Sequence, residues 1–455
     1  MQAQPALDLN QMLDEGRWNG FQKGLLVLAA LAFAVDGLAN QVLGLALPSL
    51  IRDWGVSRAA FAPVAALGLV GVATGTAIGG MLGDRVGRRR GLIGSVLLFG
   101  IVTVASAAVH GLGPLTWLRF AAGLGIGGAI PNGAAFICEF TPTRDRSFAI
   151  AAGMVFIPIG GVLAGLIGTY ALPLWGWQGL FLISGILPVA LGLLFLALLP
   201  ESPRHLAQHP AHHARLIRLL RRCGHAVDEA SRFVNEREER RRTPLAALFG
   251  RGTRADTLAL WVAFFFCLLA SYTMFSWVPT MLMGQGFTLR ATSIGMTAFN
   301  IGGMVGGVSG GWLIGRLGSR VAVLGVAAGA TLGALALGLL PIEPHHGFML
   351  ALAALVIEGF FVGGLNNGMY TLAAFLYPSF ARATGVGAAS AVGRIGAVLS
   401  SFTGVLSLQL AGASGYFIVI ATATAISFVA TSLIRRQIPR HGALVKPLAF
   451  GENNA

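Results

Sequence analysis

Twelve stretches of the chain stay apolar for about 20 residues or more, the length a helix needs to cross a hydrocarbon layer. They fall near 22–51, 59–83, 91–110, 114–138, 147–170 and 176–199, then near 257–283, 291–314, 321–341, 347–376, 383–410 and 414–434. Short polar or basic segments separate them. A bilayer interior offers backbone amides no water, so each stretch is predicted to be a helix that satisfies its own hydrogen bonds. The pattern predicts an all-α membrane protein of twelve transmembrane helices: a tail 1–21, a six-helix half 22–200, a central connection 201–256, a second six-helix half 257–434 and a tail 435–455.

The two sets of six are related. Gly79-Gly80-Met81-Leu82-Gly83-Asp84-Arg85-Val86-Gly87-Arg88-Arg89 returns in altered form at Gly310 to Arg320, displaced by 231 positions. The same displacement lays Pro48 on Pro279, Gly55 on Gly286, and Gly71 and Gly75 on Gly302 and Gly306. Tandem parallel repeats in a chain this apolar predict two pseudo-symmetric halves and point to a transporter with its site between them.

Composition sharpens the picture. A mean hydropathy of +0.73 with 11% charged residues leaves too little polar surface for a water-soluble protein of this length, and the 64 glycines suit close helix packing. The net charge of +14 follows topology: Arg85, Arg88 to Arg90, Arg144, Arg146, Arg316, Arg320, Arg382, Arg435, Arg436 and the arginines of the central connection all fall on one side. The positive-inside rule places that side, with both termini, in the cytoplasm of a cell inner membrane. No recognition module accompanies these arginines, so no nucleic-acid partner is expected. Acidic residues Asp8, Asp14 and Glu15 in the first tail argue against a cleaved signal, and make the first span its own anchor. Residues 211–242 read as amphipathic helix covering the cytoplasmic face. Cys138, Cys223 and Cys267 lack metal or redox spacing; neither metal nor cofactor is expected, and no nucleophile, base and orienter set points to an enzyme.

The motif Gly80-x-x-x-Asp84-Arg85-x-Gly87-Arg88-Arg89 joins two spans by a very short turn. Asp84 is expected to cap a neighbouring helix and pair with arginine, holding one arrangement of the halves until the contact breaks. In the second copy Gly315 replaces the acid, so the gate is asymmetric. Here the chain resembles the major facilitator superfamily over nearly its whole length. Asp36-Gly37-Leu38, Trp54-Gly55-Val56, Leu118-Arg119-Phe120 through Pro131-Asn132, Pro200-Glu201-Ser202, Tyr377-Pro378 and Arg382-Ala383-Thr384-Gly385 narrow the resemblance to the aromatic acid:proton symporter family. Gly123, Gly125 and Gly128 match a nucleotide-binding fingerprint, but inside an apolar helix with no preceding strand they signify packing.

Asp36 lies near mid-membrane, where an ionisable group is costly and usually functional; the resemblance implies a proton-coupling role. Members of that family commonly carry a second acid three residues later, where this chain has Ala39. The first and fourth helices are neighbours in the superfamily, which makes Arg119 the expected partner of Asp36. Glu358 and Arg394 also approach the midplane, and are expected to pair; Glu358 is a candidate to compensate for the missing acid. Arg394 offers a planar fork suited to a carboxylate, and the resemblance at Gly393-Arg394 makes it the first choice for the substrate anion. For an aromatic ring and its hydroxyls, Tyr272, Phe275, Trp277, Phe360, Phe361 and Tyr370 supply flat surfaces, and Asn40, Gln41, Asn132, Asn300, Asn366 and Asn367 supply hydrogen bonds.

These observations predict a monomeric carrier that moves a small benzoate-like or hydroxybenzoate-like acid inward with a proton by alternating access. A nicotinate, sugar or drug carrier, a proton-independent facilitator and a non-transporting membrane sensor stay open as alternatives.

Overall fold

The computed structural model describes residues 7–16, 18–208, 210–225, 227, 233–234, 248–249, 253–339, 347–377 and 382–440. Helix α1 (Gly20–Trp54) starts at a reciprocal cap: Gln22 donates its amide to the Asn19 side chain at 2.9 Å, and Asn19 donates its own to Gln22 Oε1 at 3.0 Å. This satisfies two donors that the first turn leaves orphaned. Helices α2 (Ala62–Val86), α3 (Arg88–Ser106) and α4 (Leu112–Phe140) follow. The run Phe156–Leu198 bends at Gly176 into α5 (156–175) and α6 (177–198). The second half repeats the plan with α7 (Arg254–Gly284), α8 (Leu289–Leu317), α9 (Ser319–Leu339) and α10 (Phe348–Leu376). Its last run, Arg382–Leu433, breaks at Ala411 and Gly412 into α11 (382–410) and α12 (413–433).

Counting each bent run once, nine helical runs among the described residues are long and apolar enough to cross a membrane. Both bent runs are among them, and α8 adds a more polar helix of spanning length, so the described residues hold helices at all twelve expected positions. The duplication is legible in the backbone. Left-handed glycines pair across the repeat: Gly55 with Gly286 and Gly87 with Gly318 at its spacing of 231, and Gly176 with Gly412 five positions further apart. Each is a turn that an L side chain tolerates poorly. Within each half the same glycine ladder lets helices touch backbone to backbone: Gly71 and Gly75 of α2 leave no room for a Cβ against Phe120 and Leu124 of α4, and Gly302 and Gly306 of α8 repeat this against Val356 and Phe360 of α10.

Three apolar cores show how the halves meet. One joins both halves, combining Leu45 and Leu50 of α1, Phe61, and Leu172 of α5 with Met274 and Val278 of α7, Phe299 of α8 and Leu355 of α10. All these lie toward the face opposite the chain ends. The other two cores lie toward the face that carries both chain ends, and each stays within one half: Phe33, Phe136, Phe140 and Leu199 in the first, Phe264, Val323, Met369 and Leu376 in the second. Among the described residues, the halves therefore share an apolar core at one end and none at the other, the cleft end.

Part of the central connection covers the first half on the cleft side. His213–Arg222 is an amphipathic helix that buries Leu216, Ile217, Leu219 and Leu220 beside Leu9 and Leu13 of the helix Leu9–Glu15. Leu7–Asp8 pairs in parallel with Phe233–Val234. The sequence predicts helix up to 242, but Phe233–Val234 is strand rather than helix, because its backbone pairs with Leu7–Asp8; residues 226, 228–232 and 235–242 of that stretch, like Pro378, lie outside the described residues.

Candidate functional site

Four helices converge where the shared core ends and the cleft begins. Asp36, halfway along α1 and only 5% exposed, receives the Asn40 side-chain amide on its carboxylate at 3.2 Å. That same amide also bonds the Asp36 backbone carbonyl at 2.8 Å. From the other half, Arg394 of α11 lies within electrostatic reach of Asp36 without forming a direct ion pair, and Tyr272 of α7 is its phenolic neighbour. Tyr370 of α10 lies in the same electrostatic neighbourhood, and its hydroxyl meets Ser390 Oγ at 3.3 Å, one turn before Arg394 on α11. Phe264 stands edge-on to Tyr370 with ring centroids 5.1 Å apart, and Tyr272 contacts Phe275 at 5.8 Å. Tyr370 remains 37% exposed, so the cluster opens to the cleft. A carboxylate, a guanidinium and two phenols in a partly dry seam have the chemistry to bind a small anion and to hold a proton.

Several expected partners are elsewhere. Arg119 does not meet Asp36: it donates to Ser106 Oγ at 2.7 Å and lies over the Phe181 ring at 4.9 Å. The reason is height. Arg119 stands seven residues from the start of α4, whereas Asp36 is eighteen from the end of α1, a difference of roughly 16 Å at ~1.5 Å per residue. Glu358 does not pair with Arg394. It is fully buried between Gly333 of α9 and Tyr416 of α12, and neither oxygen finds a hydrogen-bond partner among the described residues. At about 100° per residue it faces opposite to Asn367, nine positions on. Asn367 is exposed and donates to the Gly307 carbonyl at 2.7 Å, and Asn366 is half-buried beside it.

Asn132 is not in the cleft either. Completely buried, it donates to the carbonyls of Gly79 at 2.9 Å and Gly128 at 2.8 Å, and its side chain fills the space left by Gly83 and Gly91. It ties α2, α3 and α4 together. Trp277 is equally buried and packs on Gly404 of α11. Gln41 and Asn300 engage each other across the seam, at 2.6 and 2.7 Å. Ser390 and Ser106 were missed by the sequence reading, because a serine in a transmembrane stretch carries no signal of its own.

The motif between α2 and α3 lies at the cleft end. Asp84 meets Arg88 rather than capping a helix; Arg88 also reaches the Gly80 carbonyl at 3.4 Å and Glu139 of α4 at 3.7 Å. Arg85 is exposed. The acid that caps α3 is Glu201, which accepts the Arg89 amide at 3.1 Å, while the Arg89 guanidinium bonds the carbonyls of Leu199 and Leu196, both at 2.6 Å. Glu201 fills the space that a side chain at Gly87 (φ 103°) would need. Ser202 joins Glu139 to this group. The second half builds the same joint without an acid: Ser319 at the head of α9 donates its amide to the Ile438 carbonyl at 2.9 Å and accepts the Ile438 amide at 2.7 Å. Glu201→Ala removes a charge from a helix N-terminus and orphans a donor, so the purified protein is expected to lose about 1–2 kcal/mol of stability. A thermal melt in detergent checks this; an unchanged midpoint contradicts it.

Comparison with known proteins agrees with this architecture. Residues 29–401 match the family model described as Major Facilitator Superfamily. The chain is 35% identical to a gallate transporter of Pseudomonas putida, covering 89% of this chain and 90% of that one. It is 32% identical to a 4-hydroxybenzoate transporter of Pseudomonas aeruginosa, again over 89% and 90%, and 32% identical to a 3-(3-hydroxy-phenyl)propionate transporter of Escherichia coli over 87% and 91%. Among solved structures, a D-xylose-proton symporter superposes with a TM-score of 0.71 at 18% identity, covering 92% of this chain and 99% of that one. The inward-open form of the xylose transporter from E. coli gives 0.72 at 17%, over 91% and 97%; both establish the fold alone. The motifs, the twofold architecture and these matches agree: the chain belongs to the Major Facilitator Superfamily, as a multi-pass membrane transporter whose relatives include carriers of aromatic acids.

Proposed function

We propose that this transporter imports a small aromatic carboxylate of the benzoate or hydroxybenzoate class together with a proton, by alternating access, from a cell inner membrane with both termini in the cytoplasm. The observation that carries the reading is the Asp36–Arg394–Tyr272–Tyr370 cluster at the cleft end of the shared core. Arg394 grips the substrate carboxylate, and Tyr272, Tyr370, Asn40, Asn366 and Asn367 address the ring and its substituents. Asp36 holds the proton. Without substrate, Asp36 is the anion nearest Arg394; a bound carboxylate competes for the same guanidinium, and protonating Asp36 releases it. Substrate and proton therefore favour each other's binding, which is what symport requires. The relatives named for gallate and 4-hydroxybenzoate support this substrate class.

The motif Gly80 to Arg89 serves as the gate on the cytoplasmic face, with Arg88 bridging Asp84 and Glu139. The cleft opens on the arginine-rich face, so this conformation faces the cytoplasm in the proposed topology. Uptake of labelled 4-hydroxybenzoate into proteoliposomes, with an imposed pH gradient and with a protonophore, tests the reading. Accumulation abolished by the protonophore supports it; equilibration without accumulation makes the protein a facilitator, and binding without flux a sensor. Competition by a sugar, nicotinate or an organic cation, but not by benzoate, transfers the scaffold to another substrate class.

We assign coupling to Asp36 and give Glu358 no share in it, because its carboxyl is walled off from the cleft by α9 and α12. Glu358→Gln, which keeps volume and loses the titratable group, is expected to retain at least about half of proton-driven uptake, the range of a conservative buried change. Loss of accumulation with retained counterflow in that variant restores Glu358 as a second coupling acid in place of the acid absent at Ala39.

A further inference from the structure

The end of the seam opposite the chain termini is not purely apolar. Gln41 of α1 donates Nε2 to Asn300 Oδ1 at 2.6 Å, and Asn300 of α8 donates Nδ2 to Gln41 Oε1 at 2.7 Å. Asn300 sends its second amide hydrogen to the Met296 carbonyl at 2.7 Å. Both side chains are buried, at 3% and 4% exposure. Gly161 of α5 presses on both amides, and beyond it Gly165 and Gly168 leave room only for Thr297 and Ser293 of α8. Next along α1, Gly44 sits against the backbone of Phe275 on α7. The pair thus bridges the two halves where α1, α5 and α8 meet, between the Asp36 cluster and the opposite face.

From this geometry we infer that Gln41 and Asn300 form a reversible clasp that holds the outer end closed and must part each time the transporter opens outward. The inference rests on the alternating-access reading above. Its chemistry suits a latch better than an apolar contact or an ion pair. Closed, each amide satisfies the other. Opened, both meet water that enters the new cleft and satisfies them equally, so the exchange is nearly balanced. An apolar pair would resist opening in proportion to the surface exposed, and a buried ion pair would impose a large desolvation term on closing. The clasp also sits close to the proton site: Gln41 is five residues beyond Asp36 on the same helix, roughly 7.5 Å along its axis, and the intervening Asn40 bonds the Asp36 carboxylate. A change at Asp36 that moves α1 therefore moves the clasp.

The test exploits an asymmetry between single and double replacement. Gln41→Leu or Asn300→Leu alone buries one unpaired amide, and does so only in the outer-closed state. Replacing both leaves no orphan and adds apolar surface that opening would expose. Spin labels at His110, between α3 and α4, and at Gln285, between α7 and α8, are exposed on the two halves at the outer face. They report the outer opening by pulsed dipolar spectroscopy in nanodiscs, with the full chain and its three native cysteines replaced by serine. Each single variant is expected to raise the ratio of outward-open to outward-closed molecules about tenfold or more. The double variant is expected to return it to the wild-type ratio or below. Singles indistinguishable from wild type overturn the inference, as does a double that opens at least as far as the singles, which would make bulk rather than pairing the determinant. A distance distribution that never responds to variant, substrate or pH removes the alternating-access reading itself, and the clasp with it. Normal distance changes without aromatic-acid uptake leave the clasp standing and remove only the proposed substrate.

Discussion

Arg394→Gln is expected to raise the dissociation constant for 4-hydroxybenzoate by roughly one to two orders of magnitude, since hydrogen bonds to a charged group contribute about 1.5–3 kcal/mol. Arg394→Lys is expected to recover only part of the loss. A lysine restores the charge but not the planar fork that meets both carboxylate oxygens at once. Removing the guanidinium has a second consequence, because it leaves Asp36 facing Asn40 without the cation that acts on it. A buried carboxylate left without a compensating cation costs more stability than the interaction itself contributes. The two effects separate in a cycle. Asp36→Asn combined with Arg394→Gln is expected to regain thermal stability relative to Arg394→Gln alone, while anion binding stays lost. Titration calorimetry and thermal melts on the four proteins measure both. Wild-type affinity in Arg394→Gln removes the guanidinium from the binding site and transfers the anion to other donors in the cleft.

The fold was legible because it is set by long, uniform signals. Span length, repeat spacing and the arginine bias place all twelve helices, and the glycines paired across the repeat even mark the left-handed turns at Gly87 and Gly318. The boundary near 170–176 was less visible: α5 runs on to Gly176 and turns there with no intervening loop. The site was legible in its charges and not in their partners. Asp36 and Arg394 stand out because charge in a membrane span is rare. Pairing depends on height and face, which residue type does not encode. Arg119 fails on height, and Glu358 on face; both follow from counting residues along α1, α4 and α10 once the helix ends are known. Amides and aromatics were least predictable. Asn132 and Trp277 have the composition of ligand-binding residues, yet each fills a gap left by glycines, at Gly83 and Gly91 or at Gly404. A large side chain and a distant glycine that makes room for it are related only through the fold.

Asp36→Asn is expected to abolish uphill accumulation while leaving exchange. Asparagine keeps the size of the side chain and removes its capacity to take up and release a proton, so substrate can still cross down its own gradient and no longer draws on that of protons. The wild type should respond to the pH difference alone. One proton moving with one monoanion carries no net charge, so a 100 mV potential, worth about 2.3 kcal/mol per charge, does no work on the pair. Each unit of pH difference is worth about 1.4 kcal/mol, which sustains roughly tenfold accumulation. Lowering the external pH supplies the co-substrate and is expected to raise wild-type uptake, whereas the Asp36→Asn rate is expected to be flat with pH. Proteoliposomes with the potential clamped by valinomycin and potassium distinguish these terms. Counterflow that survives in Asp36→Asn while accumulation falls to unity assigns the proton to this carboxyl. Accumulation at the wild-type ratio in that variant requires another proton carrier. Accumulation that follows the clamped potential in the wild type requires more than one proton per substrate, and with it a second acid such as Glu358.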